Sequence, residues 1–580
     1  MTHGGHLGGA HPYGAQMLTA LVRLRGALQH AALPLELPGV AEQRTAQREM
    51  VDQLEDYVIP RVMTLDAPLL AVVGGSTGAG KSTLVNSLVG ARVTETGVLR
   101  PTTRSPVLVH NPADDGWFGQ DRLLPDLERV RRTTNDPGAL QLVASENVPA
   151  GLAILDAPDV DSVEESNRSL AAQLLAAADL WIIVTSAARY ADQVPWDFLR
   201  QAADRSAAVA IVLDRTPPDA VDTVAAHLAR MLASRGLKDS PLFTVIEGPV
   251  SQEGLLPAES VASIRRWIND LAADADARSA VVTQTLDGAI RTLTRRTHDV
   301  ADAVGEQVAA EARLRVDADR AYDRAIQDVV DATADGTLLR GEVLARWQEF
   351  VGTGELLRSL ETKVGWVRDR LVGAIKGKPQ QAERVTVAVE SGLETLIVEH
   401  AESAAERAEA SWRSLASGQA LLADAGEDLG RASRDLRRKA ERAVRDWQQD
   451  VLEMVRTEGA EKRSTARFLA FGVNGLSVAL MVVVFSHTAG LTGAEAGIAG
   501  GSAVLGQKLL EAVFGDQAVR SLAERARTLL EVRVRELFAA EEARYTDLVD
   551  SLGLDAEVPE QLRRASRRVE DARYAGQRAD

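Results

Sequence analysis

Val72-Val73-Gly74-Gly75-Ser76-Thr77-Gly78-Ala79-Gly80-Lys81-Ser82-Thr83 decides how the chain is read. It fits G-x-x-x-x-G-K-[ST], follows the apolar run Leu69 to Val73 and leads into a helix with Leu84, Val85, Leu88 and Val89 at helical spacing. Strand, glycine-rich loop and helix in that order is the setting in which this pattern has a mechanism. Gly75, Gly78 and Gly80 let the backbone turn its N–H groups inward. Together with the helix N-terminus these groups form a cradle for the α- and β-phosphates of a nucleotide. Lys81 brings a point charge to the β- and γ-phosphates, and the Ser82 hydroxyl is a ligand for Mg²⁺. The nucleotide-binding residues expected here are Gly75, Ser76, Thr77, Gly78, Ala79, Gly80, Lys81, Ser82 and Thr83.

Composition bounds the rest. A chain of 580 residues is too long for one hydrophobic core, so several domains are expected. Its 66 Lys and Arg against 83 Asp and Glu give a formal net charge of −17, which argues against nucleic acid as a partner over the whole molecule. With no cysteine, disulfides and cysteine-ligated zinc are excluded, and a reducing, cytoplasmic setting is the simple expectation. The Gly- and His-rich Met1 to Met17 lacks a basic region followed by an apolar run, so it does not read as a secretory signal. His3, His6 and His11 read as part of a tail rather than as a metal site.

Residues 1–67 are expected to hold a tail and two helical segments, about Gln16 to Ala32 and Val40 to Leu65, that pack on helices from elsewhere in the chain. Between 68 and 275, short apolar runs alternate with amphipathic helices. The runs are Leu69 to Val73, Val107 to His110, Leu152 to Leu155, Leu180 to Thr185, Ala208 to Leu213 and Leu242 to Ile246. Alternation of this kind predicts an α/β domain with a mostly parallel sheet and helices on both faces, closed by a helix about Ala258 to Ala273. Ligands of such sheets sit at the carboxyl ends of the strands.

From 276 to 463 the strand-like runs vanish. Ala, Glu, Arg, Leu and Val recur at spacings of three and four, which predicts an all-helical bundle or stalk with breaks at Gly336 and at Lys376-Gly377-Lys378-Pro379. Residues 464–515 are the second informative stretch. Phe468 to Ala494, 27 residues, carries no Asp, Glu, Lys or Arg, and a further 12 uncharged residues follow Glu495. Lys462, Arg463 and Arg467 precede the run and Lys508 follows it, an arrangement suited to anionic headgroups. An apolar hairpin in contact with membrane lipid is the expectation, and a hairpin buried in the bundle core is the alternative. Residues 516–580 are expected to form a return helix and a basic tail with Arg563, Arg564, Arg567 and Arg568.

A nucleotide site of this type needs a carboxylate at the end of a neighbouring strand to hold Mg²⁺, and Leu152-Ala153-Ile154-Leu155-Asp156 supplies it. It also needs a donor that senses the γ-phosphate. Thr102 and Thr103 lie in the right interval, with Thr103 favoured, so Lys81, Thr102, Thr103 and Asp156 form the expected catalytic set, and Ser82, Thr103 and Asp156 the metal set.

Gly75 to Ser82, Arg100-Pro101-Thr102-Thr103 and Leu155-Asp156-Ala157-Pro158, followed by a helical stalk with an apolar hairpin, resemble the bacterial dynamin-like GTPases, large translation-factor-class GTPases. The motif resemblance covers about Pro68 to Leu213. It implies GTP as substrate, Mg²⁺ as cofactor, hydrolysis coupled to self-association or to pairing with a related GTPase, and a lipid-binding tip at the inner face of the cell membrane. It also implies that Asp214 and Arg215 contact the base. The chain departs from the family at three places. Asp159 stands where D-x-P-G has Gly, Pro217 stands where N-K-x-D has its second Asp, and Thr77 and Gly78 replace a Gln-Ser pair. No glutamine follows the Asp156 motif either, so a residue in trans, with Arg100 and Arg104 as candidates, is expected to assist a slow hydrolysis. Because of Pro217, ATP stays open as the nucleotide. A scaffolding or signalling switch with the apolar hairpin as core stays open as the function.

Overall fold

Seven consecutive residues, Leu69–Gly75, are buried along their whole length, and so are the seven of Leu180–Ser186. Strands covered on both faces have no polar side to present, which is why their sequences read as unbroken apolar runs. The computed structural model describes residues 14–95, 105–120, 124–162, 165–204, 207–339, 341–351, 379–460, 466–485, 506–507, 510–511 and 513–577. Its strands are β1 (Leu69–Gly75), β2 (Val107–His110), β3 (Glu128–Val130), β4 (Ala139–Ala144), β5 (Leu152–Asp156), β6 (Leu180–Ser186), β7 (Ala208–Thr216) and β8 (Leu242–Ile246). Among the described residues they form one sheet in the order β3-β4-β2-β5-β1-β6-β7-β8. Every neighbouring pair is parallel except β2 with β5.

The six strands expected from the sequence are all present. β3 and β4 were not foreseen. β3 has only three residues, and β4 follows a turn-rich segment in which Gln141 interrupts the apolar pattern. Helices α4 (Lys81–Val89), α5 (Glu165–Ala176), α6 (Gln193–Asp204), α7 (Val221–Ser234) and α8 (Ala262–Ala273) follow β1, β5, β6, β7 and β8, and among the described residues no α-helix lies between β2 and β5.

The chain divides into two compact units. The first gathers the described residues of Met1–Leu33, Gly39–Glu306 and Asp555–Asp580; the second gathers those of Pro34–Pro38 and Gln307–Leu554. In the first unit, α1 (Ala15–His30) and α2 (Val40–Gln53) lead through a π-helical turn at Leu54–Val58 into α3 (Ile59–Met63). This segment is fixed to the sheet by a buried ion pair. Arg61 Nη2 lies 2.9 Å from Asp179 Oδ2, Tyr57 donates to Asp179 Oδ1 at 3.0 Å, and the Leu70 amide of β1 donates to Asp179 Oδ2 at 2.8 Å. Burial pushes the Asp179 carboxyl up and Arg61 opposes it. A buried pair of this kind places elements more than it adds net stability, because desolvation offsets much of the attraction.

The first part of α9 (Ala275–Ala334) docks on the same sheet, where Thr285 accepts from the Ala208 amide at 3.1 Å and donates to the Asp179 carbonyl at 2.8 Å. The last helix, α16 (Val558–Gln577), packs along α1, and Ser566 donates to the Thr294 carbonyl at 3.0 Å. The basic end is therefore largely a docked helix, with Arg563 on Asp302 and Arg573 on Asp287.

The second unit is all-helical in its described residues. It contains the later part of α9, α10 (Glu342–Val351), α11 (Pro379–Arg413), α12 (Ala416–Asp424), α13 (Leu436–Ala460), α14 (Ala466–Val484) and α15 (Asp516–Asp550). Three of its aromatic residues carry their polar atoms into the core with partners attached, while the Tyr322 hydroxyl is buried without one. Trp412 donates to Leu314 O at 3.0 Å, Trp447 to Ala526 O at 2.8 Å, and Tyr545 to Leu429 O at 2.6 Å. Gly336 has φ +80° just after α9, where the sequence predicts a break. The expected loop before Pro379 lies outside the described residues.

The apolar run from Phe468 corrects one expectation. Gly472, at φ 67°, breaks the helical backbone of α14, and beyond it Leu476, Val478 to Val484 and Phe485 are buried in the core of this unit. Phe485 packs on Trp447 with ring centroids 5.6 Å apart, and Arg527 donates to the Val484 carbonyl at 3.0 Å. This part of the run is bundle core, the alternative of the two readings, and is not a lipid-facing surface. Residues 486–505 of the expected hairpin lie outside the described residues. Among the described residues, no helix is long and apolar enough to cross a membrane.

Val482 is 1% exposed and Val532, on α15, is 45% exposed. Val482→Asp is expected to cost about 3 kcal/mol or more in urea unfolding, by placing an unpaired carboxylate in the core, and Val532→Asp less than about 0.5 kcal/mol. Equal effects would contradict the burial of the run.

Candidate nucleotide site

β1 delivers the loop to the carboxyl edge of the sheet. Gly75 has φ +151°, and a Cβ on it would collide with the Val184 carbonyl of β6. Gly80 has φ +104°, and a Cβ there would collide with the Asp214 carboxylate at the end of β7. These two glycines are required because the loop is pressed between neighbouring strand ends. Gly78 has φ 74°, and the Ala79 amide donates to Ser76 O at 3.1 Å, which closes the loop onto α4.

Lys81 is 5% exposed. Its Nζ donates to Gly75 O at 3.0 Å and to Ser76 O at 3.2 Å, and it forms an ion pair with Asp159. The ammonium thus lies folded back over the loop, with a carboxylate on the face where phosphate oxygens are expected. The replacement of the family's Gly by Asp159 therefore has a direct consequence: it supplies an internal anion to Lys81.

Asp156, at the end of β5, is fully buried. Ser82 Oγ donates to its Oδ2 at 2.7 Å and Thr94 Oγ1 donates to the same oxygen at 2.8 Å. Its other oxygen, Oδ1, is buried without a hydrogen-bond partner. Burial pushes the carboxyl up, opposed by the Ser82 hydroxyl, by Lys81 and by Thr94. An orphaned carboxylate oxygen beside a serine hydroxyl fits a hard divalent cation held partly through water. Among the described residues no group of three or more His, Cys, Asp or Glu is placed to hold a metal by itself, so further ligands would come from water and phosphate.

Thr94 was not foreseen from the sequence, since it belongs to no motif; Asn86 of α4 positions it, with Oδ1 accepting from the Thr94 amide at 3.0 Å. Asp161 and Arg189 were also missed. Asp161 Oδ1 accepts from the Thr77 amide at 2.5 Å and from Thr77 Oγ1 at 2.8 Å. Arg189, in the turn after β6, donates to the Thr77 carbonyl at 3.0 Å and pairs with Asp161 at 2.8 Å and Asp192 at 2.7 Å. Thr102 and Thr103, with Arg100 and Arg104, lie outside the described residues. Thr83 lies in the first turn of α4, and its carbonyl accepts from Ser87 Oγ at 2.6 Å.

At the expected base-binding edge, Asp214 is 3% exposed and its Oδ1 accepts from the Arg215 amide at 2.8 Å. Arg215 is exposed with φ 49°. Burial pushes the Asp214 carboxyl up to about 6.

With this geometry in place, comparison with known proteins is informative for one segment. Residues 70–214 match the model of the dynamin family. They form a dynamin-family domain. Over 143 residues the chain is 27% identical to the probable transmembrane GTPase FZO-like, chloroplastic, of Arabidopsis thaliana, a stretch that is 25% of this chain and 14% of that relative. The chain thus matches about a seventh of the length of this curated relative. Among solved structures it is similar to a member of an oligomerised bacterial dynamin pair described in the long-range sensing and tethering of membranes, at 9% identity and TM-score 0.33, covering 93% of this chain and 95% of that one. It is also similar to LeoA, a bacterial dynamin GTPase from ETEC, at 12% identity and TM-score 0.23, covering 94% and 98%. TM-scores this low establish no shared arrangement of the whole chain. The family match ends at Asp214, so it spans the loop, Asp156 and the first residue of the expected base-binding edge.

The raised Asp214 carboxyl sets a pH dependence. Its folded value of about 6 exceeds the ordinary 3.8, so the folded state holds the proton more tightly than the unfolded chain. Its contribution to stability is present below about 4 and is lost as pH rises through about 6. Asp214→Asn removes the buried charge and is expected to be more stable than the native chain at pH 7.5, by up to about 3 kcal/mol, with the advantage shrinking toward pH 4. Urea unfolding of both proteins at pH 4.5, 6 and 7.5 checks the sign.

Proposed function

We propose that the chain binds GTP with Mg²⁺ and hydrolyses it, and that the nucleotide state governs self-association, or pairing with a related GTPase, at the inner face of the cell membrane. The observation that carries the nucleotide part is the loop of the dynamin-family domain, with a buried Lys81 beside Ser82 and an Asp156 oxygen that has no partner. Inward amides of Gly75 to Ser82 bind the phosphates, and Lys81 exchanges Asp159 for a phosphate oxygen. Ser82 and Asp156 are the residues that would hold Mg²⁺, which supplies charge neutralisation between the β- and γ-phosphates when bound. Asp156 keeps Ser82 oriented through the 2.7 Å hydrogen bond, and Thr94 keeps Asp156 oriented. Asp214 and Arg215, next to the loop, line the side from which the base approaches. The guanine assignment rests on the family, since Pro217 removes the carboxylate that N-K-x-D would place there.

Support for membrane action comes from the relative named as a probable transmembrane GTPase and from the weakly charged sequence between Phe485 and Lys508. One observation favours a second reading, a nucleotide switch acting on a protein partner: Leu476 to Phe485 form bundle core. Flotation of the full chain with anionic liposomes, with and without a non-hydrolysable GTP analogue, separates the two. Co-flotation supports the membrane reading and its absence in both states supports the switch.

Lys81→Ala is expected to lower affinity for a fluorescent GTP analogue by at least about 100-fold, the loss of a charge-assisted contact in a buried loop. Asp159→Gly, which removes the competing anion from Lys81, is expected to tighten the same binding by about tenfold or more. Fluorescence titration checks both, and parallel losses of affinity in the two variants would contradict the exchange at Lys81.

A further inference from the structure

Arg189 is the second cation lodged against the phosphate loop, and no motif accounts for it. The turn after β6 places it there: the Arg189 amide donates to Ser186 O at 2.9 Å, and the guanidinium donates to the carbonyl of Thr77, a loop residue. Two carboxylates hold it. Asp192, three residues on, accepts from Nε at 2.7 Å and belongs to the same turn. Asp161 binds Nη2 at 2.8 Å and at the same time occupies the amide and hydroxyl of Thr77. Burial works against the charge of Asp161, yet the Thr77 amide, the Thr77 hydroxyl and Arg189 together hold its carboxyl below the ordinary value.

The two carboxylates differ in what nucleotide does to them. Asp161 sits on a loop amide, so a triphosphate in the loop repels it and competes for its donor. Asp192 lies outside the loop and keeps its hold on Nε. Displacing Asp161 therefore frees Nη2 of a guanidinium that is already within hydrogen-bond distance of the loop backbone. The segment Asp156-Ala157-Pro158-Asp159-Val160-Asp161 carries no glutamine, and the loop carries Thr77 and Gly78, so Lys81 is the one cationic side chain within Gly75 to Thr83. The charge that develops on a transferring phosphoryl group calls for a further cation.

The geometry points to Arg189 as an arginine finger supplied in cis, parked on Asp161 while the loop is empty and turned to the γ-phosphate when nucleotide displaces Asp161. This rests on the nucleotide site proposed above. It differs from supply in trans by Arg100 or Arg104, because the guanidinium comes from the same copy of the chain as the loop it serves.

The test uses the full chain and its R189A, R189Q, R189K and D161A variants. Three quantities are read: affinity for mant-GTP, single-turnover GTP hydrolysis at saturating protein, and trapping of mant-GDP with aluminium fluoride. Arg189 variants are expected to keep mant-GTP affinity within about threefold, to lose hydrolysis by roughly 100-fold or more, as fingers do elsewhere, and to lose aluminium fluoride trapping. The lysine variant should be the least affected. D161A is expected to bind mant-GTP more tightly and to hydrolyse faster than any Arg189 variant.

Mixing R189A with K81A, which retains Arg189 but not the loop ammonium, is expected to restore nothing. Hydrolysis by R189A and R189Q within a few-fold of the native chain overturns the proposal. D161A matching R189A in all three quantities overturns it as well, since that reports a brace. Restoration on mixing overturns supply in cis. Absence of mant-GTP binding by the native chain overturns the nucleotide site itself, and the finger with it.

Discussion

A buried ammonium held by two carbonyls and one carboxylate is the interaction on which the nucleotide domain turns. Lys81 lies against Gly75 O and Ser76 O, with Asp159 as counter-ion. An unpaired ammonium at this depth would be strongly disfavoured, so the loop must offer it carbonyl oxygens and an anion. That demand, together with the press of Val184 and Asp214 on Gly75 and Gly80, explains why the loop is written in glycine and why it leads straight into a helix. The same arrangement makes the site exchangeable. An internal carboxylate and a phosphate oxygen want the same ammonium, so occupancy by one means release of the other.

The sheet sets the remaining geometry. β1 lies between β5 and β6, and register pairs Val73 with Asp156 and Gly75 with Val184. The loop that follows β1 therefore opens directly beside the last residue of β5. Parallel strands bring their carboxyl ends to one edge, and a ligand there meets loops from several strands at once. Thr77, Asp156, Asp161, Arg189 and Asp214 come from four such loops and strand ends, yet all lie about a single loop of backbone amides.

How much of this was legible beforehand follows from how local each signal is. The phosphate loop and Asp156 could be read because each is a short pattern whose chemistry is contained in its own residues. Five strands could be read because burial on both faces leaves an apolar run, and β8, only half-buried, was legible from its short run Leu242–Ile246. β3 and β4 could not, since three residues carry no period and Gln141 breaks the other. Thr94, Asp161 and Arg189 act through contacts between segments 28 to 112 residues apart in the chain, and nothing local distinguishes them from surface residues. The run from Phe468 failed for a different reason. Apolar length alone does not separate a helix that meets lipid from one that a bundle encloses, and Leu476 to Phe485 are enclosed.

The most direct measurement is a crystal structure of the full chain grown with a non-hydrolysable GTP analogue and magnesium. The account predicts phosphates within the amides of Gly75 to Ser82, Lys81 Nζ on a phosphate oxygen and parted from Asp159, and the metal between Ser82 and Asp156. A loop that stays closed on Asp159 and Asp161 at saturating nucleotide, with the nucleotide bound elsewhere or not at all, would contradict it.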